Sequence, residues 1–196
     1  MAIQINGNGT ITGISVGGLP NGIVDTDMLA ASAVSSAKLA SGAVTAAVMP
    51  ANSIIKIQNY QNAAKSDITS NNTWTKWNNT EVTFTPTFSN SKLEIMWVYS
   101  LMTNGNGNNG IGIWIHKEVG GTDTLLDSQY QYLHFSGDNW DGPGAVTTAY
   151  IDTLSSTTDT SYYLKGYKES GATLSLNYGQ DLSGMTCIIK EIKQSV

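Results

Sequence analysis

A mainly β fold, with a C-terminal antiparallel β-sandwich or jelly roll behind an extended repeat stalk containing short helical turns, is predicted by three observations. An aliphatic residue returns every five positions between residues 15 and 54; aromatics are absent from the first fifty residues; and several later segments alternate strictly between apolar and polar side chains. The first observation defines the stalk, and the other two define the head.

The stalk is visible as four gapless decads, Ser15 to Val24, Asp25 to Val34, Ser35 to Val44 and Thr45 to Ile54. Their fifth positions hold Leu19, Leu29, Leu39 and Met49, and their tenth hold Val24, Val34, Val44 and Ile54. The residues between these anchors are small, mostly Ala, Gly, Ser and Thr. A five-residue period matches neither a continuous helix nor a continuous strand. Asp25, Ser35 and Thr45 can cap one short helical turn each, with Gly42 and Pro50 as stops. Such turns are too short to be stable alone, and one thin chain has no second layer on which to bury the ladder. Its aliphatic side chains therefore face other copies around a shared axis, where small neighbours permit close backbone approach; closed cyclic symmetry satisfies every copy equally.

The head begins after residue 54, where short apolar segments alternate with turn clusters. Strands are expected at Ile54 to Tyr60, Thr73 to Trp77, Glu81 to Pro86, Lys92 to Leu101 and Gly110 to Lys117. Five more are expected at Gln129 to Phe135, Ala145 to Asp152, Ser161 to Lys168, Thr173 to Tyr178 and Thr186 to Ile192. Leu93, Ile95, Trp97 and Tyr99 form one buried face, and so do Ile111, Ile113 and Ile115, and Leu174, Leu176 and Tyr178. Gly/Asn clusters at residues 104–110, 120–121 and 137–144 mark loops.

Composition excludes several functions. Only 13% of the 196 residues are charged, the ten basic residues are all lysine, and the net charge is -5. Without arginine forks or a basic stripe, nucleic acid is not an expected partner. No run of eighteen apolar residues suits a membrane span, and the first residues lack the charged and apolar regions of a secretion signal, so cytoplasmic synthesis without membrane insertion is expected. The single cysteine, Cys187, lies in an apolar run and reads as a buried thiol.

The text Ile5-Asn6-Gly7-Asn8-Gly9-Thr10-Ile11-Thr12-Gly13, with Asp25-Thr26-Asp27-Met28-Leu29-Ala30 and Ala37-Lys38-Leu39-Ala40-Ser41-Gly42-Ala43-Val44, resembles tail-fibre proteins of tailed bacteriophages, closest to those of phages infecting cyanobacteria and other marine bacteria. The head is similar in rhythm to the jelly rolls ending many such fibres, through Val82-Thr83-Phe84-Thr85-Pro86, Ser91-Lys92-Leu93-Glu94-Ile95 and Met185 to Ile192. The resemblance implies a parallel homotrimer in the virion. Residues 1–14 would attach to other tail or baseplate proteins, residues 15–54 form the trimeric stalk, and residues 55–196 form a head able to meet the host. The chain is short for a complete long fibre, so a short fibre, a distal segment and a fibre on the capsid remain open.

The expected function is adhesion to the bacterial surface, with a surface glycan as the ligand class and no cofactor. The alternatives are a head fibre, decoration or connector protein without receptor binding, and a glycan-cleaving fibre enzyme. Paired carboxylates in a supporting context, a zinc-protease motif and a phosphate loop are all missing from the sequence. His116 and His134 read as packing or surface residues. Asp138-Asn139-Trp140-Asp141 lacks the alternating ligand spacing of a calcium loop, so no metal is expected there. The same four residues combine an apolar plate with hydrogen-bonding groups, the pairing that sugars favour, although Trp140 could equally pack down as the loop's own anchor. Asn104, Asn106, Asn108 and Asn109 are further receptor-contact candidates, on a segment that could equally be a permissive turn. Trp74, Trp77, Trp97 and Trp114 are expected in the core or at a subunit interface.

Overall fold

The computed structural model describes residues 4–5, 11–12, 34–35, 38–104, 109–127, 131–135, 144–169, 173–176 and 184–195. The chain divides into two compact units, Met1–Thr45 and Ala46–Val196. In the first unit, β1 (Gln4–Ile5) pairs antiparallel with β2 (Ile11–Thr12). Later in this unit Lys38 N–H donates to the Ser35 carbonyl at 2.9 Å and Ala43 N–H to that of Ala40 at 3.0 Å. These are single three-residue turns, shorter than an α-helical turn, and Gly42 ends them at φ +78°, where glycine carries no Cβ penalty. Val34, Leu39 and Val44 are 54%, 45% and 57% exposed in the single chain. Leu19, Val24 and Leu29 lie outside the described residues.

The second unit is an antiparallel β-sandwich. Its strands are β3 (Ile54–Asn62), β4 (Ser66–Ile68), β5 (Thr75–Lys76), β6 (Val82–Phe84), β7 (Lys92–Asn104) and β8 (Asn109–Val119). They are followed by β9 (Thr122–Leu125), β10 (Gln131–Phe135), β11 (Gly144–Thr153), β12 (Thr160–Lys168), β13 (Thr173–Leu176) and β14 (Met185–Ile192). One six-stranded sheet runs β3-β14-β7-β13-β4, with β11 on the other side of β7; the second runs β10-β8-β12-β5, with β6 also on β12 and β9 on β8. The long β7 organises the first sheet. Its one edge pairs with β11 from Lys92 to Leu101, and its other edge is shared between β14 and β13.

Alternation explains which faces meet. Leu93, Ile95, Trp97 and Tyr99 on β7, and Cys187 and Ile189 on β14, turn inward onto Ile111, Ile113, Ile115 and Leu164 of the facing sheet, and all join one buried cluster. Full burial of such a side chain contributes about 1.5–3 kcal/mol each. Trp77 lies against β12 because Gly166 has no side chain: a Cβ there would stand 2.6 Å from Trp77 Cη2. Trp77 Nε1 has no hydrogen-bond partner there, but the polar groups around it form a network. Thr80 Oγ1 donates to the Trp77 carbonyl at 2.7 Å and accepts from Leu164 N–H at 2.8 Å, while Trp97 Nε1 donates to the Thr80 carbonyl at 3.3 Å. Lys117 and Tyr162 from one sheet both donate to Asp152 of the other.

Two sheet edges are closed by side chains. Lys56 Nζ and Gln58 Nε2 on β3 donate to the Thr85 and Thr83 carbonyls at 2.6 and 3.0 Å, covering the free edge of β6. At the entry to the sandwich, Lys193 Nζ donates to the carbonyls of Ala47 and Met49, both at 2.6 Å, and its backbone exchanges bonds with Asn52 and Ser53. The last residues of the fourth decad are thereby fastened to the C-terminal strand.

Candidate functional site

Period-two alternation on β8 and β12 sets a second group of large side chains on the outer face of their sheet. With Ile111, Ile113 and Ile115 inward, Gly112, Trp114 and His116 point outward; with Tyr162, Leu164 and Gly166 inward, so do Tyr163, Lys165 and Tyr167. The register places Gly112 beside Tyr167, Trp114 beside Lys165 and His116 beside Tyr163. Trp74, just before β5, reaches across to stack on Trp114 with ring centroids 3.4 Å apart and planes 13° apart. Gly112 makes room for it, since a Cβ there would stand 2.5 Å from Trp74 Cη2.

The result is a continuous row of rings. Tyr167 lies 5.1 Å from Trp74; His116 lies 6.1 Å from Trp114; and Tyr163 stacks on His116 at 5.8 Å. Lys76 Nζ stands 3.9 Å above the Tyr163 ring and 3.0 Å from Glu81. Trp74 and Trp114 are partly buried, so this row is neither core nor bare surface.

Asp123 on β9 ties one end of the row together. Its carboxylate accepts from His116 Nδ1 at 2.7 Å, from Tyr163 OH at 2.7 Å and from Lys165 Nζ. Burial pulls the Asp123 carboxyl upward, but the bonds from Lys165, Tyr163 and His116 outweigh it and hold the group well below the usual carboxylate range. Burial lowers the His116 imidazole below its ordinary value, against the hydrogen bond to Asp123. The neutral ring with its Nδ1 proton on Asp123 leaves Nε2 as a buried lone pair without a partner. Tyr163 is pushed up by burial and by the carboxylate it donates to. The face thus carries the carboxylates of Asp123 and Glu81, the ammonium groups of Lys76 and Lys165, and a neutral imidazole. Its donors and acceptors are preorganised, and the arrangement suits recognition of a ligand offering both apolar C–H faces and hydroxyls.

The structure divides the four tryptophans. Trp77 and Trp97 are fully buried core residues, whereas Trp74 and Trp114 belong to the outer face, on the side opposite the core. Cys187 is buried, and burial pushes its thiol up to about 12. Asn104 closes β7 opposite Thr173, and Asn109 opens β8 opposite Phe135. Strand pairing therefore extends into both ends of the expected loop at residues 104–110, because neighbouring strands supply ladder partners. Asn106, Asn108, Asp138, Asn139, Trp140 and Asp141 lie outside the described residues. Among the described residues no three His, Cys, Asp or Glu side chains converge to hold a metal ion.

The outward aromatics have a signal in the alternation itself. In Ile111-Gly112-Ile113-Trp114-Ile115-His116 the isoleucines mark the inner face, so the alternate positions are outward by elimination.

No protein-family model matches the chain, and no curated protein does. Among solved structures it is similar to dimeric latent PorU from Porphyromonas gingivalis, at 10% identity and TM-score 0.40 over 74% of this chain and 14% of that one. It is also similar to chains in the structures of infectious bursal disease virus Gx strain (13% identity, TM-score 0.35, 72% of this chain and 37% of that one) and Gt strain (10%, 0.36, 72% and 38%). The chain spans less than two-fifths of the length of each of these three.

Proposed function

We propose that the chain is a homotrimeric fibre protein of a tailed bacteriophage virion, attached through its N-terminus to tail or baseplate proteins and adhering through its heads to a bacterial surface glycan. The observation that carries this reading is the aliphatic ladder: Val34, Leu39 and Val44 are about half exposed in one chain, in a five-residue register that an unstructured linker has no reason to keep. Copies around an axis would bury it. Threefold symmetry follows from the resemblance to phage fibres. The row from Tyr167 to Lys76 supplies a rigid adhesive face, and Trp140 remains the loop candidate.

Native mass spectrometry of the whole chain should give three protomers, and purified protein should be retained on host cell envelopes. Trp74→Ala with Trp114→Ala should abolish retention without changing the mass. A stable single chain at low concentration refutes the fibre. Undiminished retention by this double variant moves adhesion to Trp140, and release of oligosaccharide from the envelopes replaces adhesion by catalysis.

A further inference from the structure

The opposite outer face of the sandwich, on the sheet formed by β3, β14, β7 and β11, exposes aliphatic side chains between polar ones where the other face carries rings. Residues facing one another across these strands form level rows. One row reads Ile57, Lys190, Glu94, Ile151, and the next Asn59, Ile188, Met96, Ala149; Thr186, Val98 and Thr147 stand in the row beyond. Ile57, Val98 and Ile151 are 58%, 38% and 61% exposed. Lys190 and Glu94 pair with each other at 2.9 Å, and the adjoining row of Ile54, Ile192, Lys92 and Thr153 adds the exposed Lys92.

We infer that further copies of this chain cover this face, so that the heads of one fibre pack around their common axis through the β3–β14–β7–β11 sheet. The inference rests on the fibre reading and extends it from the stalk to the head. Continuity argues for it: Ile54, the last rung of the aliphatic ladder, is also the first residue of β3, and Ile57 lies three positions further along the same strand. Copies that bury the ladder at Ile54 therefore stand beside β3. Charge argues for it as well. The face carries Lys190 and Glu94, which offset one another, and one more exposed cation, Lys92, so it offers little net field to an acidic or basic partner, and symmetry-related copies can place Lys190 of one near Glu94 of the next.

Area decides how the face is used. Four strands about 4.8 Å apart and about seven residues long give a footprint on the order of 450 Å². That is about half of the roughly 800 Å² each partner gives to a stable interface, so the face cannot hold two heads together alone. It suits heads already brought together by a shared stalk.

Thiol labelling of the full chain tests this. Ile57→Cys and Ile151→Cys change exposed side chains and leave the core intact, and the buried Cys187 does not compete. In the native assembly both new thiols should react with a maleimide at least about tenfold more slowly than Thr157→Cys on an exposed turn, the protection expected of a closed interface. The mass of each variant, measured in parallel, separates this inference from the fibre reading. A multimer with slow labelling supports the inference. A multimer with fast labelling overturns it and leaves the fibre standing, whereas a single chain with fast labelling removes both. A single chain with slow labelling overturns it too, because something other than a copy then covers the face.

Discussion

Glu191 has no exposed surface, and although Lys56 stands opposite it in the ladder, its carboxylate is held by the β6–β7 connection. Oε1 accepts from the amides of Thr87 and Phe88 at 2.8 and 3.1 Å and from Ser91 Oγ at 2.7 Å, and Oε2 accepts from Thr87 Oγ1 at 2.9 Å. The pattern locks the β6–β7 connection onto the last strand. Glu191→Ala would leave two amides and two hydroxyls without their acceptor, and a loss of about 3 kcal/mol or more is expected in denaturant unfolding. Glu191→Gln keeps one acceptor oxygen and should lose clearly less; equal losses would show that the cavity, and not the hydrogen bonding, sets the cost. His116 gives a pH signature. Its imidazole is held below the ordinary 6.5 by burial, so as pH falls the unfolded chain takes the proton first and the folded state loses relative stability. The fall begins near 6.5 and continues towards the lowered folded value. Asp123, held low, contributes stability that is present above the ordinary carboxylate value near 3.8 and is lost only in stronger acid. The melting temperature should therefore drop between pH 7 and pH 5, and His116→Asn, which retains a donor towards Asp123, should flatten that drop. Parallel profiles for the two proteins would remove His116 from the explanation.

Strands that carry their own pattern were legible from sequence, and strands made by their neighbours were not. On β7 and β8 the alternation assigned Leu93, Ile95, Trp97 and Tyr99, and Ile111, Ile113 and Ile115, to the inside, and these residues are buried; β14 alternates in burial along its length. Ser66–Ile68 and Thr122–Leu125 have no such run; they are strands because β13 and β8 offer them a ladder. Glu81 to Pro86 shortens to Val82–Phe84, since the chain turns at Asn78–Thr80 before it and proline brings no N–H after it. The ring row is half legible: period two puts Trp114 and His116 outward, but the reach of Trp74 over Gly112 is set by the register of β8 and β12. That dependence gives a prediction about one element acting on another. Gly112→Ala would drive a methyl into Trp74 and break the 3.4 Å stack. A loss of about 1–3 kcal/mol is expected from this overpacking. The coupled circular-dichroism band of two stacked indoles should disappear with it, while Gly120→Ala, where a Cβ meets nothing within 4 Å, should leave the band unchanged. If the band survives Gly112→Ala, Trp74 is not held over β8 in solution.

At the scale of the molecule, the described residues of the sandwich core all lie within Ala46–Val196. Folding of the head and assembly of the fibre should therefore be separable. Leu39→Asp with Val44→Asp places charges where the ladder meets its copies, and an unpaired charge in such a seam costs several kcal/mol. The stalk should open and the native mass should fall towards one protomer, while head unfolding, followed by tryptophan fluorescence, stays within experimental error of the parent. Each separated head would keep its site with unchanged affinity, because the ring row lies entirely within one chain. What disappears is the linkage: three sites on one stalk bind a surface more tightly than one by a factor on the order of 10²–10⁴ when they engage together. Retention on cell envelopes should fall by that order, whereas binding of a soluble one-site glycan fragment should not change. Loss of both would place part of the binding site between chains, and an unchanged mass would mean that the ladder is not what holds the copies together.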